Sequence, residues 1–86
     1  LAKNQNLSFL VRLSLKGFDR IGMINDITRY ISFVMSVNIR KFCLGTEDGV
    51  FEGYIDLYVN DMSDLEKLTR RLQKIEGIQS VIRTDL

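Results

Sequence analysis

The hydrophobic period of this sequence changes from two to about 3.6 residues across one short stretch, Gly17-Phe18-Asp19-Arg20-Ile21-Gly22. Upstream, apolar residues alternate with mostly polar ones and predict a half-buried strand over Leu7–Lys16. Downstream, an apolar stripe at helical spacing predicts an amphipathic helix to about Met35, with the members Ile21, Ile24, Ile27, Ile31 and Val34. Any fold of this chain must therefore contain a strand that passes through a tight turn directly into a helix.

The start of that helix is predicted to present free backbone N–H groups, because the donors of a first helical turn have no internal acceptors. The helix dipole adds partial positive charge there. Asp19 is predicted to be the N-cap, and Gly22 to lie near the third helical position, where a missing side chain lets a ligand approach the backbone. A purely structural role stays open: Gly17 would make the turn, Asp19 would cap the helix and Gly22 would relieve crowding.

A hairpin is predicted after the first helix. Its strands run from Val37 or Asn38 to Leu44 and from Phe51 to Val59, around the turn Thr46-Glu47-Asp48-Gly49. A two-residue and a three-residue loop would place opposite sets of second-strand residues on the core face. The register therefore stays open.

A second helix and a short last strand complete the chain. The segment Ser63-Asp64-Leu65-Glu66 matches a capping box, although Asp61 is an alternative cap. The apolar stripe of this helix comprises Leu65, Leu68, Leu72 and Ile75. Gly77 is the predicted left-handed residue past its end, and Ile78–Arg83 is the predicted fourth strand.

The predicted order β-α-β-β-α-β indicates an α+β fold, the ferredoxin-like sandwich. Because β-α-β crossovers are right-handed, the antiparallel four-stranded sheet should have the order 4-1-3-2, with both helices on one face. The predicted core comprises Leu13, Ile24, Ile27, Ile31, Ile55, Leu57, Leu68 and Leu72. Eighty-six residues allow one small domain. We expect residues 1–6 to be the end of a linker and residues 7–86 to be the domain, cut from a longer protein.

Composition argues against catalysis in this segment. The chain has no His and one Cys, so ordinary zinc sites and Cys–His or Ser–His pairs cannot be built, and neither a metal nor a cofactor is expected. The lone Cys43 is predicted to be a small buried residue. No apolar run approaches the ~20 residues of a membrane span, and a net charge of +1 gives no general attraction to nucleic acid or membrane.

The sheet face without helices is predicted to be a protein contact surface. Its residues from the central strands are Leu10, Arg12, Ser14, Tyr54, Asp56 and Tyr58, with Glu52 nearby. RNA-recognition domains share this strand order and stack bases on third-strand aromatic residues. Here Phe51 and Glu52 stand where that motif has a glycine and an aromatic residue, and two carboxylates would repel phosphates. We therefore expect no base-specific binding of nucleic acid, and favour another domain or another copy of this chain as the partner.

Taken together, the motifs resemble the ACT domain, a ligand-sensing module of enzymes and regulators of amino-acid metabolism. The resemblance covers Leu7 to Thr84 and is strongest to the C-terminal ACT domain of RelA/SpoT-type proteins. Four motifs carry it: Asp19-Arg20-x-Gly22, Asn25-Asp26-Ile27-Thr28, Val37-Asn38-Ile39 and Ile75-x-Gly77-Ile78-x-x-Val81. One departure is Glu76, where the family often has Pro; it should alter turn rigidity more than ligand chemistry.

The resemblance implies a cytoplasmic parent enzyme that synthesises or hydrolyses (p)ppGpp with catalytic domains far upstream, and an ACT domain that forms homodimers. A ligand, if present, should be a small amino acid, with a branched-chain residue as the first candidate; a ligand-free contact module is the alternative. The residues expected to bind it are Asp19, Arg20, Ile21, Gly22, Met23 and Asn25, together with Asn38 and Ile39 from a neighbouring copy.

Overall fold

The computed structural model of the chain describes residues 8–34 and 38–86. Its elements are β1 (Phe9–Phe18), α1 (Met23–Val34), β2 (Asn38–Glu47), β3 (Val50–Val59), α2 (Met62–Gln73) and β4 (Ile78–Asp85). The predicted linker end at residues 1–6 lies outside the described residues, as do Leu7, Met35 and Val37 at the predicted ends of elements. The predicted element order is confirmed.

The four strands form one antiparallel sheet in the order β2-β3-β1-β4, which is the predicted order 4-1-3-2 read from the other edge. Alternation in β1 sends Val11, Leu13 and Leu15 into the core, as a period of two requires. Both helices cover this face, and the predicted ferredoxin-like sandwich is confirmed.

The core confirms α2 and corrects the orientation of α1. Leu65, Leu68 and Leu72 are buried as predicted. On α1, Ile27 and Ile31 are buried, but Ile24 is 44% exposed and Met23 is 2% exposed. The prediction for Ile24 was wrong because the helix begins at Met23, and the stripe that faces the sheet therefore runs at intervals of four from that residue. The side chain of Val34 lies outside the described residues.

The β2–β3 hairpin has a two-residue loop. Asp48 and Gly49 both have positive φ, 53° and 79°, which is the requirement of a type I′ turn. Glu47 then pairs with Val50, and the register that the sequence left open places Ile39 on the helix side of the sheet. The pairing shifts by one residue at Arg40, where β2 has a bulge.

Cys43 is exposed, and the prediction of a buried residue was wrong. It lies on β2, an edge strand that is exposed along its whole length except at half-buried Leu44. Apolar neighbours in the sequence of β2 suggested burial, but among the described residues no element covers Cys43.

Asp61 caps α2, so the alternative to the capping box is correct. Its carboxylate accepts a hydrogen bond from the Ser63 backbone N–H at 2.9 Å, and this bond holds the pKa of Asp61 below its usual value. Among the described residues no helix is long and apolar enough to cross a membrane.

We expect Ile27→Ala and Leu68→Ala each to lower the free energy of unfolding by about 2–5 kcal/mol, since each leaves a cavity in a small core. Ile24→Ala is the matched control on α1 and should cost about 1 kcal/mol or less, because Ile24 is already half exposed. Denaturant unfolding measures all three. Equal losses for Ile24→Ala and Ile27→Ala would contradict the orientation of α1.

Candidate functional site

The β1–α1 turn, residues 19–22, is anchored by its neighbours in space. At the end of β1, the Phe18 N–H donates to the Gly77 carbonyl at 2.9 Å, and the Asp19 N–H donates to the Gly49 carbonyl at 3.0 Å. The turn therefore lies between the α2–β4 connection and the β2–β3 hairpin. Gly17 lies within β1 and does not make the turn.

Gly22, and not Asp19, occupies the position immediately before α1. The helix begins at Met23, and Gly22 has a φ of +86°, a conformation that side-chain-bearing residues rarely adopt. Gly22 is therefore not in the third helical position, and Asp19 lies too far upstream to be the N-cap. Both predictions were wrong, because the chain makes an additional turn at Ile21 and Gly22 before the helix starts.

In the part of the chain that the structure describes, no side chain caps the N-terminus of α1. The Met23 N–H donates to the Arg20 carbonyl at 3.2 Å, whereas the Ile24 and Asn25 N–H groups have no acceptor among the described residues. By contrast, the Asp61 side chain caps the N-terminus of α2. Free N–H groups and the positive end of a helix dipole are together favourable to a carboxylate.

The side chains of the predicted site residues differ in their accessibility. Asp19 and Asn25 are exposed, and Ile21 is 98% exposed at the tip of the turn. Met23 is buried and packs towards Gly77, so its side chain does not line the surface of the turn.

Arg20 is held by contacts within the protein. Its guanidinium donates to the Glu76 carbonyl at 2.7 Å, to the Ile21 carbonyl at 3.1 Å and to the Asp26 carboxylate at 2.7 Å. Sequence reasoning missed this role, because two of the partners are not neighbours of Arg20 in the chain.

Asn38 and Ile39 lie at the opposite end of the sheet from the turn. On β3, Phe18 is opposite Val50, whereas Asn38 is opposite Tyr58, eight residues further along. At about 3.3 Å per residue the separation is roughly 26 Å. The structure therefore brings residues 19–25 together and leaves the β2 pair apart within one copy.

The helix side of β2 carries uncovered apolar side chains. Ile39 is 43% exposed and Phe42 is 38% exposed, and both point to the side of the sheet that the helices occupy. Phe42 was not among the predicted site residues. The side of the sheet that Phe42 faces depends on the hairpin register, which the sequence left open.

The sheet face opposite the helices is organised by an Arg12–Asp56 ion pair. The guanidinium makes two hydrogen bonds to the carboxylate, at 2.7 and 2.9 Å, and Asp56 is fully buried beneath it. The Arg12 hydrogen bond, assisted by the charges of Arg12, Arg40 and Lys41, holds the pKa of Asp56 below its usual value despite burial.

The Arg12 side chain also covers the ring of Tyr54, the aromatic residue on which a nucleic-acid base would have to stack. Its guanidinium lies 3.9 Å from the centre of the Tyr54 ring. Sequence reasoning counted Asp56 as a free negative charge on this face, whereas the structure pairs it. The ring contact is a separate argument against base stacking on Tyr54.

Comparisons with known proteins identify what this chain is similar to. The ACT domain family profile matches residues 5–83. The crystal structure of the ACT domain from GTP pyrophosphokinase of Chlorobium tepidum is 33% identical, with a TM-score of 0.84 over 91% of this chain and 100% of that one. Its solution NMR structure is 34% identical, with a TM-score of 0.78 over 90% and 86%.

A more distant structure shares the fold alone. A homoserine dehydrogenase from Thiobacillus denitrificans is 18% identical, with a TM-score of 0.74 over 95% of this chain and 18% of that one. The search of curated proteins found no significant match.

We expect the Arg12–Asp56 pair to make stability depend on pH in the acid range. Because the folded pKa of Asp56 lies below its unfolded value near 3.8, the contribution is complete above that value and is lost as pH falls through the folded pKa. Asp56→Asn should lower stability at neutral pH and flatten this acid dependence, as measured by thermal unfolding between pH 2 and pH 7.

Asp61→Asn is the matched control, because asparagine also caps helices. Asp61 is exposed, so Asp61→Asn should lose much less stability at neutral pH than Asp56→Asn. Equal losses for the two variants would contradict the importance of the buried pair.

Proposed function

Since the chain belongs to the ACT domain family, we propose that it is the regulatory domain of a RelA/SpoT-type GTP pyrophosphokinase and binds a small amino acid. The similarity to the ACT domain of the Chlorobium tepidum enzyme supports this parent. The domain itself is a regulatory module without catalysis. It passes its regulatory contact to the catalytic domains that make or hydrolyse (p)ppGpp in the cytoplasm during the stringent response.

The uncapped N-terminus of α1 is the observation that carries the proposal. The Ile24 and Asn25 N–H groups lack acceptors among the described residues, and Gly22 has no side chain to supply one. The carboxylate of an amino acid provides the missing acceptor and a charge that favours the helix dipole. A neutral ligand would gain much less from this position.

The amino group and side chain of the ligand find partners on β2 of a second copy. The Asn38 side chain and the β2 carbonyl groups are acceptors for an ammonium group. Ile21 of one copy and Ile39 of the other, both exposed in the single copy, form an apolar wall. A branched-chain amino acid such as valine or isoleucine fits this chemistry.

Pairing of two copies along β2 would complete the site. When two identical edge strands pair about a twofold axis they run antiparallel, so the beginning of one lies beside the end of the other. The end of β2, Glu47, pairs with Val50 at the same end of the sheet as the β1–α1 turn. Pairing therefore moves Asn38 and Ile39 of one copy towards the turn of its partner, and covers Ile39 and Phe42.

A ligand-free contact module for another domain or the ribosome is the second candidate. The open sheet face favours it, because Tyr58 is 40% exposed there opposite half-buried Leu10. Such a module needs no small molecule, so the titration below distinguishes the two.

Titration of the domain with each common amino acid, followed by backbone NMR, tests the sensor. With valine or isoleucine we expect saturable shifts of the amides from Asp19 to Asn25, since this segment of the protein lines the proposed site. No saturable shift with any amino acid would leave the contact module as the better function.

Gly22→Val should abolish these shifts while the domain stays folded, because a β-branched residue is strained at a φ of +86° and displaces the turn. Thr84→Val is the control for an apolar β-branched side chain outside the site, since Thr84 is exposed on β4, the edge strand on the other side of the sheet from β2. Binding by Gly22→Val as tight as by the parent would place the site elsewhere.

We expect the domain to sediment as a dimer at high micromolar concentration, and Phe42→Asp to shift it to the monomer by placing a charge in the β2 interface. Ile82→Asp is the control on the other edge strand, where Ile82 is 60% exposed. Sedimentation equilibrium measures both. A monomeric parent, or dissociation by Ile82→Asp alone, would contradict pairing along β2.

A further inference from the structure

Arg20 joins three separate segments at the candidate site. Through one guanidinium it contacts the carbonyl of Ile21 within the turn, the carbonyl of Glu76 in the α2–β4 connection and the carboxylate of Asp26 on α1. We propose that Arg20 is a positioning residue that holds the β1–α1 turn in its binding conformation. This inference rests on the proposed amino-acid site.

Three of the five N–H donors of Arg20 are used by contacts within the protein. Nε donates to Glu76, Nη1 to Ile21 and Nη2 to Asp26, at 2.7, 3.1 and 2.7 Å. The Asp26 contact joins two opposite charges, which makes it among the stronger hydrogen bonds in proteins. The three contacts fix the guanidinium against the turn, whereas in the described residues the Ile24 and Asn25 N–H groups are left for a ligand carboxylate.

The turn has little else to hold its shape. Ile21 is 98% exposed and contributes almost no packing, and Gly22 has the wide conformational freedom of glycine. The backbone bonds of Phe18 and Asp19 fix the start of the turn, and the Met23 N–H fixes its end. Between them, the contact of Nη1 with the Ile21 carbonyl is the described side-chain bond that reaches the tip.

The positive charge of Arg20 matters in addition to the geometry of its hydrogen bonds, because it offsets the negative charge of Asp26. The carboxylate of Asp26 lies on the first turn of α1, close to where the ligand carboxylate would bind. Arg20 offsets this negative charge at 2.7 Å, whereas Arg29 approaches the same carboxylate only to 3.7 Å with a side chain that is 59% exposed. Arg29, the second arginine beside Asp26, is therefore the matched control for Arg20.

Valine titration of two variants tests the assignment by affinity. Arg20→Lys keeps the charge but loses the planar fork, and we expect it to weaken binding about tenfold or more, the effect of one strong hydrogen bond. Arg29→Ala should change the affinity less than about twofold. Thermal unfolding of each variant separates a local effect from loss of the fold.

Asp26→Asn tests the same contact from its other side, in the domain without ligand. Loss of the charged partner of Arg20 should shift the amides of Ile21 and Gly22, because the guanidinium is then held less firmly against the turn. Unshifted amides of the turn in this variant would contradict the positioning role.

The ligand-free domain provides an independent measurement. Arg20→Lys should shift the amides of Ile21 and Gly22 together with those of Gly77 and Ile78, because the Glu76 carbonyl loses its donor. Unshifted amides in both segments would overturn the positioning role. If the parent domain binds no amino acid, the proposed function fails, and these ligand-free shifts still decide the role of Arg20.

Discussion

The close approach of β1 to the α2–β4 connection is the constraint on which the candidate site depends. A Cβ on Gly17 would collide with the carbonyl of Gly77, and a Cβ on Gly77, whose φ is +98°, would come within 2.7 Å of Met23 Cε. With both side chains absent, the Phe18 N–H reaches the Gly77 carbonyl at 2.9 Å. This contact fixes where β1 ends, and therefore where the turn and α1 begin.

The charged residues of the domain are used mainly to fix geometry. Arg12 neutralises Asp56 on the open face, and Arg20 binds Asp26 and two carbonyl groups around the turn. In the described residues, the Ile24 and Asn25 N–H groups at the start of α1 are left without an acceptor. A carboxylate ligand can thus be recognised by the backbone, whose donors are oriented by the helix and need no side-chain rearrangement.

In the proposed site, the exposed edge strand β2 would connect assembly to ligand binding. In one copy the turn and the start of β2 are at opposite ends of the sheet, roughly 26 Å apart. A site built from both requires two copies, so ligand binding and dimerisation would each favour the other by linkage. A regulatory domain of this kind would report the amino acid to its parent enzyme through a change in association as well as through a local contact.

The sequence by itself determined the elements, their order and the sheet topology, because hydrophobic period and turn residues act over a few neighbouring positions. The alternation in β1, the stripe Leu65, Leu68 and Leu72, and the left-handed Gly77 were all predictable for that reason. The right hand of the β-α-β crossovers then left few arrangements of four strands.

The tertiary structure alone decided how the site is arranged, since its determining contacts join distant parts of the chain. Arg20 meets Glu76 across 56 positions, and Arg12 meets Asp56 across 44, and no local pattern encodes either pair. The same holds for burial: Ile24 and Cys43 have apolar sequence neighbours, but the orientation of α1 and the edge position of β2 leave both exposed. Local spacing specifies which residues of an element are apolar, whereas only packing against the rest of the chain determines which of them are buried.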